Sequence, residues 1–176
     1  GDIQNAYLTA PSSERYYTIC GPEFGPELIG CKAHIVRALY GTKTAGKDFR
    51  NHLRGCMEML GYKACYADRD LWIREAISDE RVEHYEYVLL YVDDCLTIGK
   101  RPMDQIIQID KYFPMKPNSV GPPKLYLGAK IGQLHLPNGV NAYYFSMSQY
   151  LHEAIRNVEV NLSRKGLKLL KKASTP

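Results

Sequence analysis

An α+β fold is predicted by three features of the sequence. A helical apolar period runs over residues 44–60, hairpin signatures lie at residues 87–98 and at Asn138-Gly139, and strand-like and helix-like segments follow one another without strict βαβ alternation. With 176 residues, 45% hydrophobic and 24% charged, the chain can bury a proper core and is most simply one domain.

Residues 2–8 read as a strand end, followed by a Pro/Ser/Glu-rich turn at 10–15 and a second strand at 16–19. The Gly/Pro-rich stretch 21–26 breaks the pattern. Over residues 44–60, Ala45, Phe49, Leu53, Cys56, Met57 and Leu60 recur at i, i+4 and i+7 or i+8, and Gly61 stands as a C-terminal stop. Lys43, Lys47, Arg50 and Arg54 stack beside that apolar face, with only Asp48 among them. A wet face is the ordinary reading of such a stripe, but four cations match a polyphosphate or nucleic-acid backbone better than an intrahelical salt-bridge ladder.

Met103, Ile106, Ile107, Asp110 and Phe113 suggest a short amphipathic helix, ended by Pro114 and the loop 116–123. Leu125, Leu127, Ala129 and Ile131 alternate as a strand, Asn138-Gly139 is a turn signal, and residues 142–145 return as the partner strand. Ser146 and Gln149 have the spacing of a capping box. Tyr150, Leu151, Ala154, Ile155 and Val158 supply the buried stripe of a last helix.

The net charge is +4, and no acid follows Glu159, whereas Arg164, Lys165, Lys168, Lys171 and Lys172 do. Such an end either meets phosphate or is simply solvated. Cys20, Cys31, Cys56, Cys65 and Cys95 are odd in number with no Cys-x-x-Cys pair, and no histidine pair has metal-ligand spacing, so reduced thiols in an intracellular protein are expected. No apolar run approaches the ~20 residues of a membrane-spanning helix. No secretory leader is visible, and a chain that opens on Gly1 and at once on structured sequence is expected to be a fragment of something longer.

The most informative residues are Tyr91-Val92-Asp93-Asp94, between the apolar runs 87–90 and 95–98. They place two adjacent carboxylates at the tip of a hairpin, where Asn-Gly or Asp-Gly is the usual choice. Two like charges ~4 Å apart repel by about 1 kcal/mol in water and several-fold more when partly buried, and a divalent cation reverses that sign. A solvated acidic turn is the bland alternative, less comfortable between strands apolar enough for a sheet interior.

Three further blocks accompany this one: Asp2-Ile3-Gln4-Asn5-Ala6-Tyr7-Leu8, Arg37-Ala38-Leu39-Tyr40-Gly41-Thr42-Lys43 and Tyr126-Leu127-Gly128-Ala129-Lys130-Ile131. In this order, along nearly the whole chain, they resemble the reverse transcriptase domain of copia-type LTR retrotransposons. The close, Lys172-Ala173-Ser174-Thr175-Pro176, is similar to the segment just beyond that domain.

The resemblance implies a palm, an antiparallel sheet with packed helices, together with partial fingers and the start of a thumb-like region. Residues 1–160 would form the partial palm/fingers domain and 161–176 a basic C-terminal segment. The implied function is RNA-directed DNA synthesis by two-metal nucleotidyl transfer, as a fragment of a retrotransposon polyprotein. Asp2 and Asp93 would bridge two Mg²⁺ ions, Asp94 would stand nearer the periphery, the Ile3 carbonyl would add a ligand, and Mn²⁺ could substitute. Ala6, Tyr7, Lys43, Thr44 and Lys47 would face the nucleotide. Tyr7 would close the pocket under the sugar against a 2′-hydroxyl, the alternative being a packed core tyrosine.

Arg50, Arg54, Tyr91, Leu127 and Gly128 would meet nucleic acid, and Lys116 is a candidate general acid for the departing pyrophosphate. The family usually carries Gln where Thr44 stands. The upstream fingers strands, most of a thumb, and RNase H, integrase and protease are expected outside this sequence. The implied partners are an RNA or DNA template with primer and deoxynucleoside triphosphates, without a membrane, in a cytoplasmic particle or the nucleus. A catalytically inactive relic or domesticated nucleic-acid-binding module is the alternative, and another two-metal phosphoryl-transfer enzyme such as a nuclease is the third reading.

Overall fold

The computed structural model describes residues 1–169. Lys171, Lys172 and the closing block through Pro176 lie outside the described residues. The chain divides into two compact units, residues 1–121 and the part from Pro122 onward. The segment 1–160, expected as one domain, is therefore split within the loop 116–123.

The first unit opens with a correction to the predicted strand end. Asp2 and Ile3 make isolated β-bridges, and the chain then turns at Asn5, whose φ of 50° an asparagine tolerates, into the short helix α1 (Ala6–Thr9). Strands β1 (Pro11–Ile19) and β2 (Lys32–Arg37) form an antiparallel pair. Residues 10–15 are not a turn. Ala10 caps α1, and 11–15 form the irregular first half of β1, where the register slips between Pro11↔Arg37 and Tyr16↔Ile35.

Helix α2 (Ala45–Met59) follows its predicted period, with Ala45, Phe49, Leu53, Cys56 and Met57 buried and Gly61 stopping it at φ +83°. A four-stranded antiparallel sheet comes next: β3 (Lys63–Ala64), β4 (Leu71–Ile77), β5 (Glu83–Tyr91) and β6 (Asp94–Ile98), in that spatial order. On one face Trp72 stands opposite Val88 and Leu90 opposite Cys95; all four are buried in one core with α2 and α3 (Pro102–Asp110). The α3 face is rotated from the expected one: Gln105, Ile106 and Ile109 are buried, and Met103 and Ile107 are exposed. Gln105 is admitted to the core because it meets the hydroxyl of buried Tyr62 at 3.3 Å.

Phe49 and Phe113 pack edge to face with centroids 5.9 Å apart, and Phe113 passes the chain directly to Pro114 and the functional site. Arg74 ties α2, the sheet and α3 together. It donates to Glu86 Oε2 at 3.0 Å through Nε, to the Leu60 carbonyl at 2.7 Å and to Gln108 Oε1 at 3.0 Å, and lies 4.3 Å over the Tyr62 ring. All five cysteines are free.

The second unit holds a three-stranded antiparallel sheet, β7 (Leu125–Tyr126), β8 (Ala129–His135) and β9 (Asn141–Ser146), followed by α4 (Ser148–Arg164). The predicted continuous strand 125–131 is instead a tight hairpin. Leu127 and Gly128 both take positive φ, 47° and 78°, the pattern of a primed two-residue turn. The Asn138-Gly139 turn is present, with Asn138 Oδ1 accepting from the Val140 amide.

The capping box does not form. Met147 is the N-cap, Ser146 Oγ contacts Ser148, and Gln149 turns to Glu153. Nor is the apolar stripe of α4 buried: Tyr150, Leu151, Ile155 and Val158 are exposed and Ala154 only half-buried. Periodicity orders the apolar side chains onto a stripe but cannot supply a surface to cover it. Among the described residues no helix is long and apolar enough to cross a membrane.

Candidate functional site

The hairpin of β5 and β6 closes on Tyr91↔Asp94, so Val92 and Asp93 are the two loop residues and Asp94 opens the return strand. Val92 has φ +54°, a conformation that strains a β-branched residue. Loop residue Asp93 and strand residue Asp94 thus leave the chain from different backbone settings.

The free edge of β6 is covered by residues 1–3. Cys95 N donates to Gly1 O at 2.9 Å, the Gly1 nitrogen donates to Cys95 O at 2.8 Å, Ile3 N donates to Asp93 O at 2.7 Å, and Asp2 bridges Asp94. The other side of this segment pairs with 114–116. Gln4 N donates to Pro114 O and Lys116 N to Asp2 O, each at 2.7 Å, and Ile3 bridges Met115. Ser119 Oγ accepts from the Asp2 amide at 3.1 Å. Asp2 is therefore held on both edges, with the Ile3 side chain fully buried beside it.

This pairing brings Lys116 to the carboxylates. Its Nζ lies 2.7 Å from Asp2 Oδ1, 2.8 Å from Asp2 Oδ2 and 3.6 Å from Asp93 Oδ2. The hydrogen bond that Lys116 donates to Asp2 is the main cause that raises the Lys116 pKa, joined by the charges of Asp2 and Asp93 against partial desolvation. Burial, then the charges of Asp93 and Asp2, raise the pKa of Asp94. Burial, with a smaller push from the Asp94 charge, drives the Cys95 thiol up to about 12 against the pull of the neighbouring Gly1 amine.

Among the described residues no three or more His, Cys, Asp and Glu side chains converge as a metal-holding group. Asp2 and Asp93 share one cationic position, that of the Lys116 ammonium, and Asp94 lies beside them. The pair suits a divalent ion: its donors are hard carboxylate oxygens, and Asp2 Oδ1 is buried without an aligned hydrogen bond even though the ammonium is 2.7 Å away.

The other candidates are placed as follows. Tyr7, on α1 after buried Ala6, is half-buried and stacks at 4.6 Å on Tyr40 and at 5.8 Å on Phe49. Lys43, Lys47, Arg50 and Arg54 all reach the surface, Thr44 is the N-cap of α2, Arg50 pairs with Asp70 at 3.0 Å, and Arg54 donates to Asn51. Asp48, the acid within this stripe, is buried. Hydrogen bonds from Ser13 are the main cause that lowers its pKa in spite of burial, with a smaller contribution from the Lys47 charge, so its carboxylate anchors β1. Tyr91 is exposed, and Leu127-Gly128 is the β7–β8 turn of the second unit. Tyr40 and Ser119 were not anticipated as site residues. Tyr40 stood in a recognised block, whereas nothing in the sequence marks Ser119.

The chain is 28% identical over 185 aligned positions to the retrovirus-related Pol polyprotein from transposon TNT 1-94 of Nicotiana tabacum, covering 99% of this chain and 12% of that protein. It is 30% identical over 105 positions to the retrovirus-related Pol polyprotein from transposon RE1 of Arabidopsis thaliana, covering 57% of this chain and 7% of that protein. No protein-family model matches the chain, and no solved structure matches it. The sequence is thus related to a small segment of the transposon Pol polyproteins it matches.

Proposed function

We propose that this chain is the palm-bearing segment of an RNA-directed DNA polymerase from a retrotransposon Pol polyprotein, acting on a primed RNA or DNA template with deoxynucleoside triphosphates. The observation that carries the reading is the convergence of Asp2 and Asp93, 91 positions apart, on a single cation position at a strained hairpin. Two Mg²⁺ ions, when bound, supply charge stabilisation for the attacking and leaving oxygens of an in-line displacement. Asp2 and Asp93 hold the cations on rigid backbone, and Asp94 adds negative charge beside them. Tyr7, backed by Tyr40, presents an aromatic wall to the sugar. Lys43 and Lys47 receive phosphates, Arg50 and Arg54 continue the cationic stripe towards template, and the Leu127-Gly128 turn is assigned to the primer end.

One observation favours the second reading, a nucleic-acid-binding relic: the carboxylates do not form a three-ligand group, and Lys116 sits between two of them. Primer extension on poly(rA)/oligo(dT) separates the two. Incorporation that Asp93→Asn abolishes supports the polymerase; salt-sensitive binding without incorporation supports the relic.

A further inference from the structure

We propose that Lys116 is a built-in counter-cation that holds the divalent-ion position between Asp2 and Asp93, so that metal entry and release of the Lys116 ammonium are one competitive event. The inference rests on the metal-dependent reading above and concerns what the chain does before metal arrives.

Its basis is geometric. The Lys116 backbone is fixed against Asp2 by the 2.7 Å amide bond and by the neighbouring Ile3–Met115 bridge, so the side chain is delivered to the acids by β-pairing and not by the wandering of a surface lysine. Its ammonium touches both Asp2 oxygens and reaches Asp93. Without it, three carboxylates on adjoining backbone would repel one another. Mg²⁺ binds carboxylate oxygen at about 2.0–2.1 Å, closer than an ammonium, and the two would compete for the same oxygens. The flexible four-carbon stem lets the head leave while the paired backbone stays in place. The buried Asp2 Oδ1, near the ammonium but without an aligned bond from it, is the oxygen that gains most from the exchange.

Lys116 therefore stabilises the metal-free chain and weakens metal binding. The test is calorimetric titration of the whole chain with Mn²⁺ alone, with melting curves in its absence, for wild type, Lys116→Gln, Lys116→Arg and Asp93→Asn. Lys116→Gln should melt lower without metal and bind Mn²⁺ about fivefold tighter, the size of a partly exposed ion pair, with Lys116→Arg within about twofold of wild type. Equal or weaker Mn²⁺ binding by Lys116→Gln, with wild-type binding intact and lost in Asp93→Asn, overturns the inference and leaves the metal site standing. No Mn²⁺ binding by wild type overturns both. Should Lys116→Gln not fold, the Lys116 side-chain resonances of the wild type decide: Mg²⁺ should move them towards those of a free lysine, and unchanged signals at saturation overturn the inference.

Discussion

Lys116 Nζ lies 2.7 Å from Asp2 Oδ1, across 114 residues of sequence, and the same ammonium reaches Asp93. One cation thus answers two carboxylates while Asp94, half-buried beside them, keeps a raised pKa. The three carboxylates exceed the cations beside them, and the consequences are measurable.

Asp94→Asn should not destabilise the metal-free protein at neutral pH. The folded pKa of Asp94 lies above the ordinary carboxylate value, so its ionisation costs stability, a cost that is absent at lower pH and appears as pH rises through that window. Melting temperatures of wild type and variant should diverge in favour of the variant from about pH 4 upward and then run parallel. A variant that melts lower at pH 7 than wild type would contradict this.

Alkali should loosen the first unit through Tyr62, whose phenol burial pushes up to about 12. Below about pH 10 both folded and unfolded chains hold this proton. Above it the unfolded chain releases the proton first, so stability falls as pH rises towards the folded value. Tyr62→Phe removes this slope and also the bond to Gln105. Urea titrations between pH 9 and 11 should show the wild type losing stability with pH more steeply than the variant.

Val92→Gly should be neutral or stabilising by up to about 1 kcal/mol, because relief of the φ +54° strain offsets the added freedom of the unfolded chain. Val92→Ala, which keeps a Cβ at the same φ, should gain less. Urea midpoints of the two variants against wild type decide the order.

If α2 receives a nucleic-acid backbone, Lys43→Ala with Lys47→Ala should weaken binding uniformly across sequences. The slope of log affinity against log salt should become shallower by about 2. Fluorescence anisotropy with a labelled primer–template over a salt series measures it, and an unchanged slope would remove these lysines from the interface.

The parts of this fold that the sequence announced are those whose causes are local. The period of α2, its Gly61 stop, the hairpin around Asp93 and the Asn138-Gly139 turn each follow from a few neighbouring residues. Where the chain broke a local rule, the reading failed. The 10–15 stretch looks like a turn but runs in a bulged strand because β2 pairs with it, and the Leu127-Gly128 pair hides a turn inside an alternating pattern. Strands β3 and β4 went unread, since β4 is defined by Trp72 facing Val88 and by Arg74 meeting Glu86 across the sheet.

At the candidate site, the residue types were legible in the sequence alone: carboxylates Asp2, Asp93 and Asp94, the cation Lys116, the aromatic Tyr7 and the cationic stripe on α2. Residue type fixes charge and donor chemistry, and those need no partner to be read. Only the tertiary structure decided their grouping. It paired the Asp2 backbone with Asp94, turned Asp48 inward to Ser13, and set Lys116 between the Asp2 and Asp93 carboxylates. These outcomes depend on backbone pairing of residues 1–4 with β6 on one edge and 114–116 on the other, a long-range closure that no local pattern encodes.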